Sequence, residues 1–469
     1  MGVGISRRMF GLAAASSMAL VACGKSSDDT VAAPTTSALP MDPRSVATDA
    51  YVFGYPLLVM DATRSAFLES VPVNRFQHAT TLPTPANKQV VRINLDTLYS
   101  SAWLDLAAEP LVLQVPAMDL GRYWLMQVMD AWTNTVHNPS SVRPQTASNP
   151  DPATFTYVLT GPGWTGTLPA GAAHLPMPTP MAWLLGRVQV NGPGDLPVVR
   201  AIQEQIKLVP LSAWPAGKDL PAAAPTSPPH PAVPPPQQVA ELEPRAFFDR
   251  LCALLAVNPP APADAPAMAR FATLGIRPGG AVTGIADPDL AAAADAAKKQ
   301  IADFRDPKAR NGNGWFFDPD IGSYGTDYPL RANIAQIALG ANLPQDAIYP
   351  TLVGNADSNG APNRFRLHFP PGKTPPVDAF WSLTAYDADS YLVPNPANIY
   401  AIGHQVPVVL NPDGSLDLAV QSEDPGPSVP AGNWLPIPAA GVFSLTMRLY
   451  APKEIAVDGS WSPPGLTPV

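Results

Sequence analysis

Cysteine is nearly absent, with two in 469 residues, Cys23 and Cys252. With Cys23 read below as a lipid site, no internal disulfide can form, and a cysteine cage for a metal is excluded. Charge is scarce too: Asp, Glu, Lys and Arg make up 14% of the chain, against a usual share of about a quarter. Net charge is −9 and the cations nowhere cluster, which excludes nucleic acid as a partner, because a phosphate backbone is held by grouped Lys and Arg. The histidines (His78, His137, His174, His230, His368 and His404) form no pair at ligand spacing, so no metal site is predicted and no cofactor is named. A Gly-x-Ser-x-Gly elbow, a Walker loop and a dinucleotide fingerprint are all missing, which removes the standard serine hydrolase, nucleotide and nicotinamide chemistries.

Proline is what the chain has in excess, 60 copies, more than twice the average share. Such a chain cannot consist mainly of long helices, because proline lacks the backbone N–H and clashes with the preceding turn. Many short strands joined by Pro and Gly turns fit better, around sizeable cores that the 46% hydrophobic content can fill. The expected class is mainly β, α+β overall.

The opening segment reads as an export signal. Arg7-Arg8 precede the apolar run Met9 to Ala22, about 14 residues, too short for a bilayer core that needs roughly 20. Leu20-Val21-Ala22-Cys23 resembles the bacterial lipobox, in which cleavage leaves the cysteine first and lipidated. Ser6-Arg7-Arg8-Met9-Phe10 resembles the twin-arginine signal that carries folded proteins, although Gly11 stands where a leucine is usual, and ordinary secretion remains open. Residues 24–40 are small, polar and Pro-containing, a tether with too little apolar surface to order itself. The expectation is thus a cleaved signal over 1–22, a lipidated tether over 23–41, and a protein held peripherally on a bacterial envelope membrane, facing the periplasm.

Asp42-Pro43 is a helix start, with helical spacing of Ala47, Tyr51, Tyr55, Leu58 and Ala62 to about Phe67. Strands are expected over 90–93, 102–104, 111–115, 123–128, 154–160 and 184–190, completing an N-terminal domain over 42–213. Residues 214–245 hold a polyproline-like connector. Helices over 241–257, 262–274 and 287–304, the last with Asp287-Pro288 as its cap, complete a connector and insert over 214–310. Strands resume in a C-terminal domain over 311–469, interrupted by a helix over 330–339. Cys252, in the apolar helical run 247–255, reads as a buried, inert thiol.

The two halves echo each other. Tyr123-Trp124-Leu125-Met126-Gln127-Val128-Met129-Asp130-Ala131 aligns with Phe380-Trp381-Ser382-Leu383-Thr384-Ala385-Tyr386-Asp387-Ala388, and each follows a short strand ending in proline. This pattern predicts two related β-sandwich domains, each with an aspartate at the end of a Trp strand.

Longer stretches are similar to a known pair of families. Arg92-Ile93-Asn94-Leu95-Asp96-Thr97-Leu98-Tyr99-Ser100, Trp103-Leu104-Asp105-Leu106 and Glu109-Pro110 resemble the core of a bacterial domain of unknown function, family 1254. Asn313-Gly314-Trp315-Phe316-Phe317, Tyr324-Gly325-Thr326-Asp327-Tyr328, Asp346-Ala347-Ile348-Tyr349, Asn433-Trp434-Leu435-Pro436 and Met447-Arg448-Leu449-Tyr450 resemble its usual partner, family 1214. The resemblance implies two β-sandwich-like domains with a helical insert between them, and no established reaction.

The richest polar segment is Arg92 to Tyr99. Asp96 is a candidate general base and Tyr99 a candidate proton donor or clamp, with Arg92, Asn94 and Thr97 as binding groups; turn-making by Asn and Asp is the competing reading. Trp124, Asp130 and Asn134, near Trp132 and His137, form a second candidate binding group for sugars or flat ligands. Asp318, Asp320 and Asp327 could attract a hard cation, but a turn-rich loop with an ion pair to Arg331 fits their spacing better. A small or oligomeric organic ligand bound in an aromatic-lined pocket is the expected function. The alternatives are a hydrolase or lyase using Asp96 with Tyr99 or a nearby His, and a structural or interaction lipoprotein. Oligomeric state is not legible.

Overall fold

Asp42 opens the first helix. Its carboxylate accepts from the amides of Arg44 (3.3 Å) and Ser45 (3.2 Å), and Pro43 fills the first helical position, where no N–H is needed. The computed structural model describes residues 42–88, 91–119, 121–146, 154–214 and 233–469. The signal, Cys23, the tether, Val90 and most of the proline connector lie outside the described residues. Helix α1 (Pro43–Leu68) is buried on most of its circumference rather than along one stripe.

Nine strands follow among the described residues: β1 (Gln77–His78), β2 (Thr97–Asp105), β3 (Leu111–Pro116), β4 (Trp124–Asp130), β5 (Thr135–His137), β6 (Thr154–Thr160), β7 (Ala173–Pro176), β8 (Met181–Gln189) and β9 (Lys207–Pro210), with helix α2 (Leu196–Gln205) before the last. One sheet has the order β1-β2-β8-β4-β5, the other β7-β6-β3-β9. Leu98, Leu113, Met126, Tyr157 and Leu184 meet between them in a sandwich core. Strand β4 is buried at every position, because the outer face of its sheet is also covered.

Helices cover it. Among the described residues α3 (Pro235–Ala240), α4 (Pro244–Val257), α5 (Ala265–Phe271), α6 (Asp287–Asp303) and α7 (Tyr328–Ile337) pack around α1. Trp103, Trp132 and Met181 of the first sandwich join this helical core. Gly54 allows α1 and α4 to approach: a Cβ there would lie 2.6 Å from a Leu251 methyl. Nearby, the Tyr51 and Phe247 rings stack at 3.8 Å. The end of the connector is helical, since Pro235 and Pro236 occupy the first turn of α3, where proline is tolerated. Ala286, not Asp287, caps α6. Cys252 is buried, and burial raises its thiol pKa.

The second half contributes β10 (Arg310–Gly312), β11 (Trp315–Phe317), β12 (Ala347–Ile348), β13 (Thr351–Asn355), β14 (Asp357–Ser358), β15 (Ala361–Pro362), β16 (Arg364–Phe369), β17 (Trp381–Tyr386), β18 (Ala401–Gly403), β19 (Leu416–Gln421), β20 (Trp434–Leu435), β21 (Val442–Tyr450) and β22 (Leu466–Pro468), with α8 (Glu454–Val457) before the last. The order β10-β11-β13-β21-β17-β18, with β12 also on β21, faces β20-β19-β16-β22, and Leu367, Leu383, Leu418 and Met447 fill the space between. β14 and β15 form a separate hairpin. The fold is α+β with mainly β sheets: two sandwiches and a helical layer.

The sandwiches share one topology. In chain order β2, β3, β4, β5, β6, β7, β8, β9 correspond to β13, β16, β17, β18, β19, β20, β21, β22, down to the parallel pairs β6–β7 and β19–β20 among antiparallel neighbours. The helix before the last strand recurs as well. After β4, the Asp130 carboxylate accepts from the amides of Trp132 (2.8 Å) and Asn134 (2.9 Å), with Thr133 at φ 69°. After β17, Asp387 accepts from Asp389 (3.0 Å) and Tyr391 (2.8 Å), with Ser390 at φ 66°. Both aspartates are committed to building this turn.

Among the described residues no helix is long and apolar enough to cross a membrane, and no three His, Cys, Asp or Glu side chains come together as a metal site. Asp320 pairs with Lys308 at 3.2 Å, and Asp327 caps α7. Arg331 does not pair with them; it lies buried, its guanidinium 5.1–5.4 Å from the ring centres of Trp132, Tyr328 and Phe53.

Candidate functional site

Residues Val91 to Ile93, expected as a strand, form a turn, because Arg92 adopts φ 51°. Asn94 follows as a local organiser. Its Oδ1 accepts from the Asp96 amide (2.6 Å), and its Nδ2 donates to Thr97 Oγ1 (2.8 Å) and the Tyr99 hydroxyl (3.1 Å). The polar segment therefore starts β2 rather than ending a strand. Side chains alternate along β2, so Leu98 enters the sandwich core while Thr97 and Tyr99 face outward.

On the neighbouring strand Arg187 is the residue opposite Tyr99. Its guanidinium lies 5.1 Å from the Tyr99 ring centre, donates to Gln127 Oε1 (2.6 Å), and reaches the Gly340 carbonyl (3.3 Å). The second sandwich repeats this pair. With Ile348 opposite Leu449 and Thr351 opposite Thr446, Tyr349 stands across from Arg448. Arg448 donates to Thr384 Oγ1 (3.1 Å), the Tyr386 hydroxyl (2.6 Å) and the Arg92 carbonyl (2.9 Å). Arg92 itself donates to Thr446 Oγ1 at 3.1 Å.

Arg92, Tyr99, Arg187, Tyr349 and Arg448 line one cavity of about 870 Å³ between the sandwiches, together with Tyr450 and the segment around Gly340. Arg92, Arg187 and Arg448 all border it, no Asp or Glu does, and none of the three has a carboxylate within ion-pair distance among the described residues. Burial pushes the Tyr99 hydroxyl up, yet the charge of Arg187, the Asn94 hydrogen bond and the more distant Arg448 outweigh it and hold the pKa below the ordinary tyrosine value. Tyr450 is driven the other way, by burial and by the Asp96 carboxylate, and stays a protonated donor.

Asp96 stands behind the wall. Fully buried, it accepts from Ser382 Oγ (2.7 Å) and from the Tyr450 hydroxyl (3.2 Å), and its other oxygen lies 3.7 Å from His404 Nδ1. Its carboxylate meets the cavity wall through Tyr450. Its counterpart Asp346 likewise crosses into the other sandwich, accepting from Asn138 Nδ2 (2.6 Å) and Arg143 Nη2 (2.9 Å). The histidine beside Asp96 is thus His404, and not His78 or His137: His78 borders the cavity and bonds Ser100 Oγ, while His137 bonds the Pro176 carbonyl.

Of the predicted site residues, Arg92, Asn94, Thr97 and Tyr99 border the cavity. Trp124 is packed in the first sandwich core, and Asp130 and Asn134 are held in the β4–β5 turn, where Asn134 Nδ2 bonds Asp130 at 3.0 Å; none of these three borders the cavity. Arg187, Tyr349, Arg448 and Tyr450 also border it, outside the residues that the sequence points to. One signal for Tyr349 was present, since Asp96-Thr97-Leu98-Tyr99 and Asp346-Ala347-Ile348-Tyr349 are the same four-residue pattern.

No curated protein matches the chain. The crystal structure of the VPA0106 protein from Vibrio parahaemolyticus is similar in fold, with a TM-score of 0.64 at 22% identity over 91% of this chain and 99% of that one. A putative uncharacterized protein from Burkholderia cenocepacia aligns over 92% of this chain and 90% of that one, at 15% identity and a TM-score of 0.43. Residues 73–210, which supply Tyr99 and Arg187, match the protein of unknown function family DUF1254, and residues 346–454, which supply Tyr349, Arg448 and Tyr450, match the protein of unknown function family DUF1214, so the chain carries these two in tandem.

Proposed function

We propose that this chain binds a small organic anion in the cavity between its two sandwiches. One observation carries the reading: among the described residues three guanidiniums border an 870 Å³ space that no carboxylate lines. Buried cations are costly unless compensated, and a carboxylate or phosphate ligand supplies that compensation through charge-assisted hydrogen bonds. The volume lies in the range of small-molecule sites, about 300–1,000 Å³, and the tyrosines offer flat surface for the rest of the ligand. Calorimetry with benzoate, hexanoate and inorganic phosphate, against glucose as the neutral control, tests it. Binding of the anions, lost in the R187Q/R448Q double variant, is expected; glucose binding with no anion binding would overturn the reading.

A second reading is proton transfer on such an anion, as in a lyase. It is favoured by Tyr99, whose hydroxyl is set by Arg187 toward easier ionisation than a free tyrosine, with Tyr450 as a protonated donor braced by Asp96. Turnover that disappears in Tyr99→Phe while anion affinity persists would support it.

We propose further that the chain works at the bacterial envelope, tethered through a lipid on Cys23 and facing the periplasm. Incorporation of labelled palmitate, lost in Cys23→Ser, is the expected result.

A further inference from the structure

We infer that the cavity takes a ligand with two anionic groups, one for each of two equivalent tyrosine–arginine pairs. This deepens, and rests on, the anion-binding reading. The argument begins with the duplication. Tyr99 opposite Arg187 on β2 and β8, and Tyr349 opposite Arg448 on β12–β13 and β21, occupy the same register positions in two copies of one topology. Both pairs face the same cavity, so the molecule presents one recognition unit twice to a single occupant.

Charge points the same way. The Asp96 carboxylate acts on Arg448 through its charge, and one of its oxygens is engaged by Ser382 and Tyr450. Asp346, its counterpart near Arg187, is held by Arg143. Asp346 and Arg143 pair with each other, so among the described residues Arg92, Arg187 and Arg448 set against Asp96 leave two positive charges unmatched, and a ligand with two negative groups closes the balance.

Besides the arginines, the rest of the lining carries no charge among the described residues. Thr97, Thr351 and Thr446 with Ala338 and Leu339 border the space, which suits a neutral or apolar linker. A lone phosphate or acetate would leave most of about 870 Å³ to water. The class that fits is a dicarboxylate, or an organic bis-anion of similar span, whose two ends each meet one guanidinium. The copies differ in how the arginines are braced, Arg187 by Gln127 and Arg448 by Thr384 and Tyr386, so the two ends are not interchangeable.

Calorimetric titration with the dicarboxylates succinate, glutarate, adipate, pimelate and suberate, each beside the monocarboxylate of equal chain length, tests this on the full chain. At least one dicarboxylate should bind on the order of tenfold to a hundredfold tighter than its partner, the contribution expected of one charge-assisted contact. Arg187→Gln and Arg448→Gln should each bring that ratio close to one, while Arg187→Lys and Arg448→Lys, which keep the charge and protect the fold, retain part of it. Equal affinity for mono- and dicarboxylates at every length would overturn the two-group inference and leave anion binding standing. No binding of either series, nor of phosphate, would remove the anion reading itself.

Discussion

The duplicated turns offer a close comparison, because the two amide contacts and the backbone geometry match while burial differs, beside an Asn134 side-chain bond on Asp130 and a Lys88 ion pair at 3.9 Å on Asp387. Asp130→Ala removes the acceptor for two backbone amides, those of Trp132 and Asn134, and for the Asn134 side chain, at a site where Asp130 is 5% exposed. A buried donor left without a partner costs about 1–3 kcal/mol. Two backbone bonds of the turn survive, Asp130 N to Asn134 O and Thr133 N to Asp130 O. Removing a carboxylate whose ionisation is already opposed by burial also recovers part of the loss. The expected net cost is about 2–4 kcal/mol. Asp387→Ala deletes the same two amide contacts, but its side chain is 30% exposed, so water replaces the lost acceptor and the cost falls to about 0.5–1 kcal/mol. Equilibrium urea unfolding, read as the shift in midpoint at unchanged slope, measures both. Equal destabilisation by the two variants would refute the claim that burial sets the worth of this turn.

Three further outcomes follow from the same structure. His78 is kept neutral by burial, its pKa lowered from 6.5 to about 4; between those values the unfolded chain binds more protons, so stability is lost as pH falls through that window, and His78→Gln should flatten this limb of the urea midpoint against pH. A Cβ on Gly432 would sit 1.9 Å from the Pro407 carbonyl oxygen, so Gly432→Ala should lower stability by about 1–3 kcal/mol, and an unchanged melting temperature counts against the packing described. Arg331 lies buried among three rings with Nε and Nη2 unpartnered among the described residues; Arg331→Met should be neutral or stabilising, by up to about 4 kcal/mol, and a loss of stability would show that the ring contacts outweigh the cost of burying the charge.

Where local chemistry decides structure, the sequence was readable. Asp42-Pro43 started α1 because a cap and a fixed φ act within one turn, and the Trp124 and Trp381 strands announced a duplication that the topology repeats strand by strand. Where a third dimension decides, it was not. Val91 to Ile93 looks like a strand by composition, but Arg92 at φ 51° makes it a turn anchored to Ser390 of the other sandwich, whose carbonyl accepts from the Arg92 amide. Arg187 and Arg448 are single cations inside apolar strands, and nothing local distinguishes them from exposed residues of an edge. They face a cavity only because two sandwiches meet there. Trp124 drew attention as an aromatic surface, yet strand alternation places it with Met126 and Val128 in the core.

The position of β21 in its sheet has a consequence for synthesis. This strand lies between β13 and β17 and carries Thr446, Arg448 and Tyr450, yet it leaves the ribosome after both neighbours. Strand β8 does the same between β2 and β4. Each sheet thus waits with a gap at its centre until a later segment slots in, a demand that slows maturation through long-range pairing. A translation product halted before residue 442 lacks one wall of the pocket and exposes two unpaired strand edges, which marks incomplete chains for proteolysis or aggregation before they can bind anything.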